Sequence, residues 1–218
     1  MSRPDPRVLV TAFEPFHAST ENASLAALTL LRSSGDWPVS MDLMSATLPV
    51  ETDRVGAGLL GLLDEHDPAV VVLLGESAKA ERVTLERLAV NLRDFGIADN
   101  AGAQPVDLPV EPGGPAALWS TLPVKACRAR VEQAGGSAEL SLSAGAYLCN
   151  QALYVALRWA MDRPSDRGQT PRVGFVHLPS LPTQVARGER RGPSLSAEQS
   201  AAAVRAIVWA AVDNAAGH

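Results

Sequence analysis

Pro68-Ala-Val-Val-Val-Leu-Leu-Gly75 is an unbroken apolar run of strand length, opened by a proline and closed by a glycine. A strand without polar alternation is covered on both faces, as in a parallel sheet, and its closing glycine falls where such a strand meets a functional loop. Upstream, Arg7-Val-Leu-Val-Thr-Ala-Phe13 repeats the pattern, and Met41-Asp-Leu-Met-Ser-Ala-Thr47 alternates as another strand. Between these two, Asn22 reads as the N-cap of a helix that carries Leu25, Leu28 and Leu31 on one face; a second helix is expected over Val50 to Glu65.

Downstream, a helix is expected from about Pro123 to Ala134, a strand from Glu139 to Ser143, a helix from Tyr147 to Met161 and a strand from Arg172 to Leu178. Ser196 with Gln199 forms a capping box for a last helix, whose buried face holds Ala203, Ile207, Ala210 and Ala211. Repeated strand-helix alternation predicts an α/β fold: a largely parallel twisted sheet with helices on both faces, in three layers. One domain over residues 1–218 is expected, with flexible ends at 1–6 and 213–218. Asp99-Asn-Ala-Gly102 and Glu111-Pro-Gly-Gly-Pro115 are turn chemistry, so 76–114 reads as loops with a short strand near Leu88 to Leu92. Arg163 to Pro171 and Thr183 to Pro193 read as exposed, mobile loops.

The chain has 218 residues, 46% hydrophobic and 20% charged, with a formal net charge of −5. That balance disfavours nucleic acid as a partner, since phosphate binding needs a basic face. No apolar run approaches the roughly 18 residues of a membrane span, and the polar start Met1-Ser-Arg-Pro-Asp-Pro-Arg7 is unlike a signal peptide. A cytoplasmic location is expected, where the two cysteines, Cys127 and Cys149, stay free thiols.

Gly56-Ala-Gly-Leu-Leu-Gly61 matches the dinucleotide fingerprint in letters only, because it lies inside a helix instead of between a strand and a helix start. Its glycines read instead as small residues packing that helix on the sheet. His17, His66, His177 and His218 show no pairing at metal-ligand spacing, so no metal or other cofactor is expected. Cys149 admits a functional reading beside the commoner one of a small buried hydrophobe. It follows a strand and opens a helix in Ser143-Ala-Gly-Ala-Tyr-Leu-Cys-Asn150, where unpaired amides and the helix dipole stabilise a thiolate and can receive an oxyanion. Cys127, within a helix, reads as a small buried hydrophobe. His177 ends an apolar strand, at the end where an open parallel sheet gathers active-site groups, although a packed core histidine fits that position too. Glu86 beside Arg87 is, on position alone, a solvated ion pair.

Together these segments resemble the pyroglutamyl peptidase I family from Val8 to about Val212. Val10-Thr-Ala-Phe-Glu-Pro-Phe-His17 is similar to its opening motif, and Asn22-Ala-Ser24, Leu85-Glu-Arg-Leu-Ala-Val-Asn91 and Ile97-Ala-Asp-Asn-Ala-Gly102 follow in family order. Ser120-Thr-Leu-Pro-Val-Lys125, the Cys149 segment and Phe175-Val-His-Leu-Pro179 complete the series. The resemblance implies a cysteine exopeptidase that removes N-terminal pyroglutamate from peptides. It implies Cys149 as nucleophile, His177 as base, Glu86 as the histidine's partner, and Phe13 and Phe16 against the pyroglutamyl ring. Peptides with N-terminal pyroglutamate are the expected partners, and a homo-oligomer is compatible with the reading. The chain departs from the family at Ala78-Lys-Ala80 and Gly96, where an arginine is usual, and at Ala12 and His17, which replace glycines. A catalytically weak peptide-binding relative and a nucleoside-phosphorylase-like enzyme are the rival readings.

Overall fold

The computed structural model describes residues 5–17, 19–34, 37, 40–163 and 170–216. Strands β1 (Arg7–Phe13), β2 (Asp42–Leu48), β3 (Val70–Glu76), β4 (Val83–Glu86), β7 (Ala138–Ser141) and β8 (Arg172–Leu178) form one sheet in the order β2-β1-β3-β8-β4-β7. Four neighbouring pairs are parallel and only β4–β8 is antiparallel, so β4 and β7 run against the other four strands. Strands β5 (Leu88–Val90) and β6 (Ala117–Trp119) make a small antiparallel ribbon beside it.

Strand parity sorts the side chains into two cores. Val70, Val72 and Leu74 of β3 face helices α1 (Ala23–Ser33), α3 (Val124–Gln133) and α6 (Ala197–Ala216). Val71 and Leu73 face α2 (Thr52–His66) and α4 (Leu148–Met161). Each β3 residue from Val70 to Leu74 is fully buried, which explains the run without polar alternation. Burying a valine or leucine side chain contributes roughly 1.5–3 kcal/mol, so the two faces of this one strand anchor both cores.

Asn22 caps α1 as expected, its Oδ1 accepting the Ser24 amide at 2.9 Å. The capping box opens α6, with the Ser196 amide on Gln199 Oε1 at 3.0 Å and the Gln199 amide on Ser196 Oγ at 3.2 Å. Helix α6 continues through 213–216, where a flexible end was expected, and Pro6 accepts the Asp42 amide. The dinucleotide-like glycines do lie inside α2. Only Gly56 packs, in van der Waals range of Val155 on α4; Gly58 and Gly61 face open space, and Val55, Leu59 and Leu63 form the buried face.

Two expectations about loops are corrected. The stretch 76–114 contains β4, a full member of the sheet, and its turns are tightly bonded. Asp99 accepts the amides of Thr52, Ala101 and Ala103 at 2.7–3.0 Å, and Asn100 bonds Glu14 Oε1 and the Pro15 carbonyl. Thr183–Pro193 is not merely exposed: it begins in the short helix α5 (Pro182–Ala186), and Gln184 is fully buried. Of the other expected loop, 164–169 lies outside the described residues. No helix among the described residues is long and apolar enough to cross a membrane.

Candidate active site

Parity places Glu86 and His177 on one face. On β8, Val173 and Phe175 point towards α4, and His177 follows at the same parity; on β4, Val83 and Leu85 point away, leaving Glu86 on the α4 side. The two meet at 2.8 Å between Glu86 Oε1 and His177 Nδ1, with exposures of only 2% and 8%. An ionised carboxylate can only accept, so Nδ1 donates and Nε2 is turned to the rest of the site. Glu86 Oε2 is buried with no hydrogen-bond partner among the described residues, so the carboxylate's one polar contact is the imidazole.

Cys149 is the second residue of α4, after the extended N-cap Tyr147. Its sulfur lies beside Gly75, the residue opposite His177 on the neighbouring strand, near enough to the imidazole to act on its charge. Burial opposes a charge on that ring, but Cys149, followed by Glu86, outweighs it and the imidazole pKa is pushed up to about 10. The amides of the first turn of α4, which opens at Leu148, lack intrahelical acceptors. Cys127, by contrast, is completely buried in α3, and burial pushes its thiol up to about 12, which keeps it inert.

A cleft beside Cys149 is lined by Phe13, Phe16, Asn22, Val50, Glu76, Tyr147 and Leu148. The rings form a continuous wall: Phe16 lies 6.2 Å from Tyr147, and Tyr147 lies 4.4 Å from Phe95. Below it, Phe13 approaches Phe175 at 6.5 Å, and Phe175 packs on His177 at 4.8 Å. All five expected site residues are therefore brought together. A wider groove lined by Leu60, Val110, Tyr154 and Trp159 contains neither a thiol nor a histidine. Among the described residues no cluster could hold a metal ion.

Four further residues shape the site. A Cβ at Gly75 would lie 2.7 Å from Phe175 Cζ and 3.0 Å from Cys149 Sγ, so only glycine fits between ring and thiol. Asn150, fully buried, binds both the amide and the carbonyl of Val90 at 2.8 Å and the Leu92 carbonyl at 2.9 Å. Gln151 exchanges bonds with Thr52 at the start of α2, fixing the start of α4 from the other side. Glu76 gathers the amide of Ala23, Ser180, Gln184 and Arg190 at the end of β3. The adjacency of Gly75 and Glu76 to a strand end was the only sequence signal for them. The departures at Ala12, His17, Ala78, Lys79, Ala80 and Gly96 are not among the residues lining the cleft.

The sequence pattern of the family described as pyroglutamyl peptidase matches residues 6–214. The chain is 41% identical to the pyrrolidone-carboxylate peptidase of Clavibacter michiganensis over 210 residues, covering 96% of this chain and 94% of that one. Among solved structures, it is similar to pyroglutamyl peptidase I of Bacillus amyloliquefaciens, with a TM-score of 0.86 at 30% identity over 96% and 98% of the two chains. It is likewise similar to pyrrolidone carboxyl peptidase of Thermus thermophilus, with a TM-score of 0.82 at 42% identity over 92% and 98%.

Proposed function

Because the chain belongs to the pyroglutamyl peptidase family, we propose that it hydrolyses the bond following an N-terminal pyroglutamyl residue, with Cys149 as nucleophile, His177 as base and Glu86 orienting the imidazole. The observation that carries this reading is the 2.8 Å bond from Glu86 to His177, an imidazole whose charge responds to Cys149 at the mouth of an aromatic cleft.

The thiolate of Cys149 attacks the carbonyl carbon that follows the lactam ring, and the negative charge moves to the carbonyl oxygen. First-turn amides of α4 are placed to receive that oxyanion. The imidazolium of His177 then gives its Nε2 proton to the departing amine as the C–N bond breaks, leaving a thioester on Cys149. Neutral His177 takes a proton from water, the resulting hydroxide displaces the thiolate, and pyroglutamate leaves as the free acid. Through the cycle Glu86 holds Nδ1–H and stabilises the imidazolium.

The cleft supports the substrate class. A lactam is flat and uncharged, so it suits the faces of Phe13 and Phe16, whereas an ammonium there would lose its hydration. A reducing, cytoplasmic setting keeps Cys149 in the state this chemistry requires. Release of a fluorophore from a pyroglutamyl amide, beside the matching glutaminyl amide, is the test. Turnover of the first and refusal of the second is expected; comparable rates on both would remove the proposed specificity, and no release from either would remove the activity.

A further inference from the structure

Glu76 lines the cleft, yet its side chain is only 2% exposed and belongs to a buried ion pair. Arg190 Nε lies 3.1 Å from Glu76 Oε1, and its own side chain is 14% exposed. The other partners of the carboxylate are neutral: Ser180 Oγ and Gln184 Nε2 at 3.2 Å on Oε1, and the Ala23 amide at 2.8 Å with Gln184 Nε2 at 3.1 Å on Oε2. They solvate the charge without cancelling it. The guanidinium of Arg190 also lies over the ring of Phe16, its Cζ 5.6 Å from the centroid. One cation thus touches two residues of the cleft wall, one by charge and one through its π face.

We propose that Arg190 is a specificity-determining positioning residue: it quenches the charge of Glu76, so the cleft accepts an uncharged lactam and offers no counter-charge to the ammonium of an unblocked N-terminus. This rests on the function proposed above. Charges count heavily in a site walled by Phe13, Phe16, Val50 and Tyr147, because little water screens them. An uncompensated Glu76 would attract an ammonium placed in the cleft, and the discrimination that depends on leaving that ammonium without a partner would shrink. The neighbouring Arg187 pairs with Glu21 and Glu189, so it does not substitute for Arg190.

The test is the ratio of kcat/KM for a pyroglutamyl amide to that for the matching glutaminyl amide. In Arg190→Met, which retains an apolar stem beside Phe16, the ratio is expected to fall at least ~10-fold, chiefly through a lower KM for the glutaminyl substrate. Adding Glu76→Gln to that variant should restore the ratio, since neither charge remains. A purely structural role would slow both substrates alike, so an unchanged ratio in folded Arg190→Met overturns the proposal. Glu76→Gln alone supplies a check that does not require Arg190→Met to fold. It removes the carboxylate paired with Arg190 and should raise the ratio; an unchanged or lower ratio overturns the proposal. Dissociation constants of pyroglutamamide and glutaminamide read the same preference without turnover. Failure of the wild-type protein to release the pyroglutamyl amide therefore counts against the proposed activity, and failure of the ratio to move counts against Arg190.

Discussion

Glu86 and His177 are a diagonal pair across antiparallel strands: Glu86 stands opposite Phe175 and His177 opposite Thr84, and the carboxylate reaches along the face to Nδ1 at 2.8 Å. The antiparallel insertion of β4 makes this possible, because it sets the start of β4 beside the end of β8 and leaves Glu86 two residues along the same face, towards α4. The orienting group is thus held by sheet register instead of by a loop.

His177→Ala is expected to lower kcat at least ~10²-fold in a protein that still folds, because the proton acceptor and donor is gone. Glu86→Gln should cost less, since the base remains but its orientation and its charge partner are weakened. Steady-state kinetics on both variants check the order, and a His177→Ala enzyme of near-normal rate contradicts the mechanism.

Cys149→Ser should abolish measurable turnover, and Cys127→Ala should leave it intact. Alkylation with iodoacetamide followed by peptide mapping should find loss of activity tracking Cys149, since Cys127 is fully buried with its thiol raised to about 12. Inactivation that follows Cys127 labelling would falsify the assignment.

Gly75→Ala should impair both stability and rate. The added methyl meets Phe175 Cζ at 2.7 Å and Cys149 Sγ at 3.0 Å, an overpacking that costs roughly 1–3 kcal/mol. Because one of the two displaced atoms is the nucleophile, kcat should fall even under conditions in which the variant is fully folded. Thermal unfolding and kinetics measured together separate the two effects; an alanine tolerated in both would mean that the ring and thiol yield easily.

His177 carries a titration signature with a definite sign. Its folded pKa, about 10, lies above the ordinary 6.5, so protonation stabilises the fold fully below 6.5 and that stabilisation fades as pH rises through 10. In Cys149→Ser the thiolate contribution is lost while burial remains, so the His177 pKa should drop and the decline in stability should begin at lower pH. Imidazole NMR titration of the two proteins reads the shift directly, and an unmoved His177 would exclude Cys149 as its source.

Much of the architecture was legible locally. The apolar run of β3 announced a strand buried on both faces, Asn22 and the Ser196–Gln199 box announced two helix starts, and β8 was bounded at Arg172 and Leu178 as observed. Strand β4 escaped because its four residues sit among turn signals, and the segment containing Gln184 and Arg190 looked like an exposed loop because Ser19 and Glu76, which help to bury these two side chains, lie in distant parts of the chain.

By itself the sequence determined the alternation of strands and helices, the helix-start position of Cys149 and the ordered motifs that identify the family, because these depend on neighbours along the chain or on the order of short motifs. Only the tertiary structure decided that Glu86 belongs to His177 and not to solvent, that Gly75 makes room for the thiol, and that Glu76 is matched by Arg190. Those pairs are separated by 91 residues for Glu86 and His177, and by 114 for Glu76 and Arg190. Contacts at such separations follow from strand order and register, which side-chain periodicity does not encode: the period of two says which face a residue occupies, and the pairing of strands says whom it meets there.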